Sequence, residues 1–159
     1  MLFSNNRAFQ TEADRWVLDL NGNRLYGTNW KVQLYFGTEA NSLFPVAATP
    51  AHLTDPDAVG PGVWIGGMRT LPGFLSGETA TLQVRVWDGA LFGSFEQALA
   101  NGGIHGQSAP FSYLVPPVGS APMFYYMENF RGFQLVPEPS SVALLLMGAC
   151  GLWLRRRRL

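Results

Sequence analysis

The sequence predicts an all-β fold, an antiparallel β-sandwich or partial barrel with one short helix, followed by a C-terminal hydrophobic membrane helix. Three observations support this prediction. Glycine and proline number 18 and 11 among 159 residues, a composition that favours many turns and few long helices. Several short segments alternate between apolar and polar residues, as strands with one buried face do. An uncharged apolar run lies close to the C-terminus.

The strands are predicted from this alternation and from the turns between them. The clearest strand is residues 79–87, where apolar residues at the even positions alternate with polar neighbours. Residues 31–36 repeat the pattern after a turn at residues 21–23. Further strands are expected at residues 63–70, 107–115 and 130–136, with weaker signals at 16–20 and 43–47. About seven short strands favour a sandwich or a partial barrel.

The one helix is predicted at residues 95–101. Ser94 and Gln97 have the spacing of a capping box, in which the serine accepts from a backbone N–H and the glutamine reaches back. Gly102 supplies the stop signal.

The formal net charge of zero is divided unevenly along the chain. Four of the 11 basic residues are consecutive arginines near the end, so residues 1–154 carry 7 basic and 11 acidic residues, a net charge of −4. This body contains a single lysine, Lys31, and no basic cluster of the kind that nucleic-acid binding requires. We therefore expect no nucleic-acid partner.

The C-terminal segment has three parts: a Pro-Glu-Pro triplet, an apolar run and an arginine cluster. The 13 uncharged residues 142–154 would span about 20 Å as a helix, against a hydrocarbon core of about 30 Å. An insertion energy of only about −2 to −4 kcal/mol suits a segment held briefly at a membrane. The apolar residues expected in this membrane helix are Val142, Leu144, Leu145, Leu146, Leu152 and Leu154.

The arginine cluster predicts the orientation of the segment. Arginines that flank a membrane helix stay in the cytoplasm, so residues 1–139 are expected outside. The reverse orientation would move four arginines across the bilayer. The expected cytoplasmic stop-transfer residues are Arg155, Arg156, Arg157 and Arg158.

Pro137, Glu138 and Pro139, followed by a hydrophobic run and terminal arginines, resemble the PEP-CTERM sorting signal of exported bacterial proteins. The resemblance covers about 24 residues. It implies that a membrane-embedded exosortase recognises the Pro-Glu-Pro motif and removes the tail. It also implies a protein held at the inner membrane before processing and destined for the cell envelope or extracellular matrix. Residues 1–135 are then a β-rich exported domain, and residues 136–159 are the sorting signal.

Two further comparisons with that family concern the body of the chain. The run from Gln83 through the predicted helix to Phe111 resembles uncharacterised domains of such exported proteins. Family members need a signal peptide, however, and residues 1–20 contain no apolar run of the required length of about 7–15 residues. A misassigned start is the expected explanation, and the alternative is that the chain is not exported.

The sequence contains no recognisable catalytic or metal-ligand constellation, so we expect a non-enzymatic protein without a cofactor. His52 and His105 are expected to be solvated loop residues. Cys150, the single cysteine, lies in the apolar run and is expected to be a small packing residue. Residues 19–23 are similar to a calcium loop, but their glycine is misplaced and a tight hairpin is expected. Residues 55–57 are expected to form a polar turn.

The aromatic residues leave an alternative function open. Flat rings can stack on the apolar faces of sugars, so the alternative is a carbohydrate-binding module for exopolysaccharide. Most of these rings are expected to pack in the core, with Trp64 and Trp87 inside predicted strands. The aromatic residues concerned are Trp16, Trp30, Trp64, Trp87, Phe124, Tyr125 and Tyr126.

Overall fold

The computed structural model describes residues 1–5, 13–54, 60–120 and 125–137. These residues are mostly β, with a multi-strand antiparallel sheet and one short α-helix, as the sequence predicts. A 3₁₀ turn covers Ala13–Arg15, and the helix α1 covers Phe95–Ala100. The strands are β1 (Leu2–Ser4), β2 (Val17–Leu18), β3 (Trp30–Gly37), β4 (Phe44–Pro45), β5 (Ala51–His52), β6 (Ile65–Met68), β7 (Thr79–Asp88), β8 (His105–Gln107), β9 (Phe111–Leu114) and β10 (Phe133–Gln134).

The centre of the described structure is the antiparallel pair β3 and β7, its two longest strands. Their register runs from Trp30 opposite Asp88 to Gly37 opposite Thr81. The strands β4 and β5 pair with successive parts of the outer edge of β3. The strands β8 and β9 pair in the same way with the outer edge of β7. Two separate two-stranded sheets are formed by β1 with β6, antiparallel, and by β2 with β10, parallel.

The main core lies on one face of the β3–β7 pair. The apolar residues at even positions of both strands point to this face, and Val32, Leu34 and Val84 are at most 1% exposed. Residues from the two small sheets, Phe3 and Val17 among them, belong to the same core. The period-two pattern therefore identifies the correct buried face of the central strands.

The opposite face of β7 is covered in part by α1. Trp87 packs against Phe95 and Ala98 of the helix in a second, smaller cluster. Ser94 Oγ accepts from the Gln97 backbone N–H at 3.2 Å, as the capping box predicts, but Gln97 Oε1 accepts from Gly93 N at 3.0 Å. The glutamine thus reaches one residue further back than predicted.

The strand predicted at residues 107–115 is two strands separated by a bulge. Between Arg85↔Gln107 and Leu82↔Phe111, β7 advances three residues while its partner advances four. Pro110, which has no backbone N–H to donate, lies in this interval. Ser108 compensates, because its Oγ accepts from Val84 N at 3.0 Å.

A buried arginine connects the N-terminal segment to the segment before β10. Arg15 is 0% exposed, and its guanidinium donates to the carbonyl oxygens of Asn5, Met127 and Phe130 at 2.8, 2.6 and 3.1 Å. The Asn5 amide in turn donates to the carbonyl of Gly62 at 2.7 Å. These bonds satisfy the cation inside the protein and hold four distant segments together.

Other predictions are confirmed or corrected locally. Residues 19–23 form the expected hairpin, since Asp19 Oδ1 accepts from the N–H groups of Asn21 and Asn23, both at 2.8 Å, and Gly22 has φ of 82°.

The strands β1 and β5 were not predicted. The predicted turn at residues 55–57 and the predicted membrane helix lie outside the described residues. Among the described residues, the helix present is too short to cross a membrane.

Candidate functional site

The last described residues, Val136 and Pro137, lie at a defined point beside β8, which we call the exit. The backbone N–H of Val136 donates to the carbonyl of His105 at 2.9 Å, which makes an antiparallel bridge at the first residue of β8. Val136 is 50% exposed, and Pro137 after it is also exposed. The Pro-Glu-Pro motif therefore begins one residue beyond this bridge.

The segment before the exit is firmly held. The backbone N–H of Leu135 donates to the carbonyl of Leu18 at 2.9 Å, and the Leu135 side chain is 3% exposed in the main core. The side-chain amide of Gln134 donates to the carbonyl of Leu20 at 3.0 Å. Gly106 of β8 lies directly against Leu135, where a Cβ would sit 3.0 Å from the leucine side chain. The exit position is thus set by packing on both sides.

Exposed apolar side chains surround this exit. We call Leu20, Tyr26, Ile104 and Val136 the exit surface; their side chains are 40%, 59%, 40% and 50% exposed. The first three line one shallow depression of about 410 Å³, together with Trp30 and Leu135. Three segments that are far apart in sequence therefore present apolar atoms beside the last described residues.

The charges near the exit surface balance each other. Arg24 stacks over the ring of Trp16, with its guanidinium carbon 3.2 Å from the ring centroid. Lys31 donates to the carbonyl of Thr28 at 3.2 Å. The carboxylates of Asp19 and Asp88 accept from backbone N–H groups of their own turns, so the formal charges of these two carboxylates and the two cations sum to zero. No excess charge marks the described residues around the exit.

A second concave site lies at the other end of the central sheet. A groove of about 540 Å³ is formed between β9 and the segment after residue 124. The amide of Asn129 donates to the carbonyl of Ser112 at 3.0 Å and ties the two walls together. Burial, followed by the charge of Tyr125, raises the pKa of Tyr113 in this groove to about 12. The remaining lining residues include Pro116, Pro117, Tyr126 and Glu128.

A partly buried polar network joins α1 to the sheet and was not predicted from the sequence. The hydroxyl of Tyr35 donates to Glu96 Oε1 at 2.6 Å, and Arg85 lies 3.3 Å from the same oxygen. The Arg85 guanidinium also stacks on the Tyr35 ring at 3.9 Å. Burial and the hydrogen bond to Glu96 raise the pKa of Tyr35. Each group has a partner, so the network fastens the helix to the sheet.

The Glu96 carboxyl has a lowered pKa. Burial alone would raise it, but the hydrogen bond from Tyr35, other hydrogen bonds and the charge of Arg85 favour the ionised form more strongly. The carboxylate is therefore charged under neutral conditions and accepts from both neighbours.

The histidine and aromatic predictions have mixed outcomes. His52 is exposed, as expected, although it lies in β5 rather than a loop. The prediction for His105 is wrong: it is 5% exposed in β8, with its ring edge-on to Phe95 at 5.3 Å between centroids. Trp64 and Trp87 are core residues as predicted, at 0% and 1% exposure.

The aromatic residues do not form one flat platform. Trp64 belongs to the main core and Trp87 to the cluster under α1, so they lie in different clusters. Trp16 and Trp30 are half-buried near the exit, whereas Tyr125 and Tyr126 are half-buried near the second groove. Phe124 lies outside the described residues.

Most residues of the predicted sorting signal lie beyond the described chain. Pro137 is the one member of the triplet that is described, and it is exposed. The triplet residues Glu138 and Pro139, the apolar residues of positions 142–154 and the four arginines lie outside the described residues. In the part of the chain that is described, no group of three or more metal-ligating side chains is found.

Comparison of the chain with protein-family models, with curated proteins and with solved structures gave no match in any of the three.

Proposed function

We propose that this chain is a non-enzymatic exported protein that an exosortase sorts to the bacterial cell envelope or extracellular matrix. The observation that carries the proposal is the three-part C-terminal segment, with Pro-Glu-Pro, an apolar run and four arginines in that order. The exposed exit at Val136 and Pro137 supports it, because the motif is free of the domain's packing where it begins.

The composition of the motif suits recognition by an enzyme. Proline fixes φ near −65° and has no N–H, so Pro137 and Pro139 favour an extended chain over a helix. An extended segment offers its backbone and side chains to a protease-like groove. The exosortase would then act on residues 137–139, with the apolar run of residues 142–154 in the membrane and the arginines on the cytoplasmic side.

The finer architecture belongs to the same proposal. We infer that the two small sheets form a second layer over the main core, opposite α1, in the manner of a sandwich. The shared core of Phe3, Val17, Val32 and Leu34 supports this arrangement.

The sorting proposal is tested by replacing Pro137, Glu138 and Pro139 with alanine in the exporting host. We expect the variant to remain in the membrane fraction at full length, while the original protein loses its tail and moves outward. The matched control replaces Pro116 and Pro117, two consecutive prolines far from the tail, and is processed normally. Processing of the triple-alanine variant at the original rate would contradict the proposal.

A carbohydrate-binding function is the alternative, and the groove beside β9 is the observation that favours it. Its walls combine aromatic rings, Tyr113 and Tyr126, with the hydrogen-bonding side chains of Ser112, Glu128 and Asn129. Aromatic rings suit the apolar face of a sugar, and polar side chains can form hydrogen bonds with its hydroxyl groups.

The alternative is tested by titrating exopolysaccharide against the full chain while following tryptophan and tyrosine fluorescence. Binding that is lost in Tyr126→Ala but kept in Tyr26→Ala, an exposed tyrosine at the other end of the sheet, would support it. Absence of exopolysaccharide binding by the original protein would contradict the carbohydrate-binding alternative.

A further inference from the structure

The exit surface and the tail that follows it are separated by a very short connection. Pro137 is the first residue after Val136, and the uncharged run begins at Val142, so five residues connect the two. Even fully extended, the six steps from Val136 to Val142 span about 20 Å. A headgroup layer occupies roughly 5–7 Å of this distance on each side of the bilayer. The domain end that carries Val136 therefore faces the membrane closely whenever the tail is inserted.

We propose that the exit surface, Leu20, Tyr26, Ile104 and Val136, rests in the headgroup region of the bilayer before the tail is removed. This inference rests on the proposed membrane insertion of the tail and adds a second contact with the lipid. Lipid is the proposed occupant because the short tether keeps the bilayer within reach of the exit surface for as long as the tail is inserted, whether or not an exosortase is bound.

The composition of the exit surface fits an interfacial contact. Leucine, isoleucine and valine side chains gain by leaving water, and a tyrosine ring with a polar hydroxyl suits the headgroup level. Trp30 is half-buried in the same depression and adds a second aromatic ring. The balanced charges of Arg24 and Lys31 against Asp19 and Asp88 mean that attraction to anionic lipid contributes little. The contact is therefore apolar, and salt should not release it.

The opposite end of the sheet provides an internal comparison. Leu75 and Leu114 are 73% and 63% exposed there, so exposed apolar side chains occur at both ends. The strand β7 has ten residues and separates the two ends by about 30 Å at about 3.3 Å per residue. The short tether can bring the exit surface to the bilayer but leaves Leu75 in water.

The experiment places an environment-sensitive fluorophore at either end of the full chain. In a Cys150→Ala background, Tyr26→Cys labels the exit surface and Leu75→Cys labels the far end. The chain is reconstituted into vesicles of phosphatidylcholine and phosphatidylglycerol that carry nitroxide-labelled lipid headgroups. Burial of about 5–10 Å at the interface should cost the fluorophore at position 26 about half of its emission. The fluorophore at position 75 should lose almost none, and neither result should change at high salt.

The outcomes separate this proposal from the sorting proposal. If the protein floats with the vesicles and both positions are quenched equally or not at all, the exit surface does not contact lipid. This inference is then wrong, while the sorting proposal stands. Loss of quenching at position 26 in high salt would also overturn this inference. If the protein does not float with the vesicles, membrane insertion of the tail fails, and both proposals fall together. A label at Leu20→Cys, also on the exit surface, repeats the measurement should Tyr26→Cys fold poorly.

Discussion

The two faces of β7 have different chemistry, although they belong to one strand. On one face, Leu82, Val84 and their even-numbered neighbours are 0% exposed within an entirely apolar core. On the other, Gln83 and Arg85 form hydrogen bonds and an ion pair under α1, and Trp87 alone is apolar. The alternation predicts the first face completely. The second requires side chains from β3 and α1 that only folding brings together.

This difference extends to the exit through β8. The helix α1 leads directly into β8, and β8 receives Val136 at the exit. The polar network of Tyr35, Arg85 and Glu96 fastens α1 to the sheet. Both faces therefore position the exit, since Leu135 is buried in the main core and the polar face fastens α1, which precedes β8.

The largest effect is expected on the apolar face. Leu34→Ala removes a side chain that is 1% exposed in the main core and should lower the free energy of unfolding by about 2–5 kcal/mol. Urea denaturation followed by tryptophan fluorescence measures the change. Leu75→Ala, at a side chain that is 73% exposed, is the control and should change stability by less than about 0.5 kcal/mol. Equal costs for the two variants would contradict the assignment of the core.

The bulge between β8 and β9 should give the next largest effect. Ser108→Ala leaves the Val84 N–H without the hydroxyl acceptor that lies 3.0 Å away, at a position only 2% exposed. The expected cost is about 1–3 kcal/mol because a buried donor is left unpaired. Amide hydrogen exchange at Val84 should accelerate as well. Ser76→Ala, at an exposed turn, provides the control, and slow exchange at Val84 in the Ser108 variant would refute the role of the hydroxyl.

On the polar face the expected effect is smaller. Tyr35→Phe keeps the ring under Arg85 but removes the hydroxyl that donates to Glu96 at 2.6 Å. Because Glu96 keeps Arg85 and water as partners, the cost should be about 0.5–1.5 kcal/mol. Hydrogen exchange should show faster opening of α1 and β8 than of β3. Uniform acceleration across all strands would argue against a role specific to the helix face.

The smallest effect depends on pH. The pKa of Glu96 is lowered below its ordinary value of 4.5, so its contribution to stability is present above pH 4.5 and is lost as the pH falls through the lower folded-state value. Glu96→Gln should therefore be slightly less stable than the original at pH 7 and equal to it at strongly acidic pH. Thermal unfolding at several pH values measures the difference. Glu39→Gln, at an exposed position in a loop, is the control, and its stability relative to the original protein should not change with pH in this way.

The presence of a strand could be predicted well from the sequence where the strand is long and one of its faces is buried. The strands β3 and β7 and the helix α1 were all identified from local signals, because alternation and capping depend on residues a few positions apart. The strands β1 and β5 were missed because two or three residues are too short to show a pattern, and, unlike the equally short β2, β4 and β10, they do not lie within a longer predicted strand. They exist because the backbone groups of β3 and β6 need partners.

Errors at single residues have the same origin. His105 was expected in a solvated loop because glycine and alanine lie near it in the sequence. It is buried because α1 folds back and places Phe95 against its ring. No prediction was made for Arg15, which stands among charged residues in sequence; four carbonyl acceptors, including that of Glu128, surround it in the fold.

By itself, the sequence determined the period of the central strands, the cap of α1, the hairpin at Asp19 and the three-part composition of the tail. Each of these depends on neighbours within one turn or one strand, where local sterics and solvation dominate. Only the tertiary structure decided the polar network under α1, the bulge at Ser108 and the meeting of Leu20, Tyr26, Ile104 and Val136 at the exit. Those contacts join residues tens of positions apart, and their energies are realised only when the chain has closed the intervening loops.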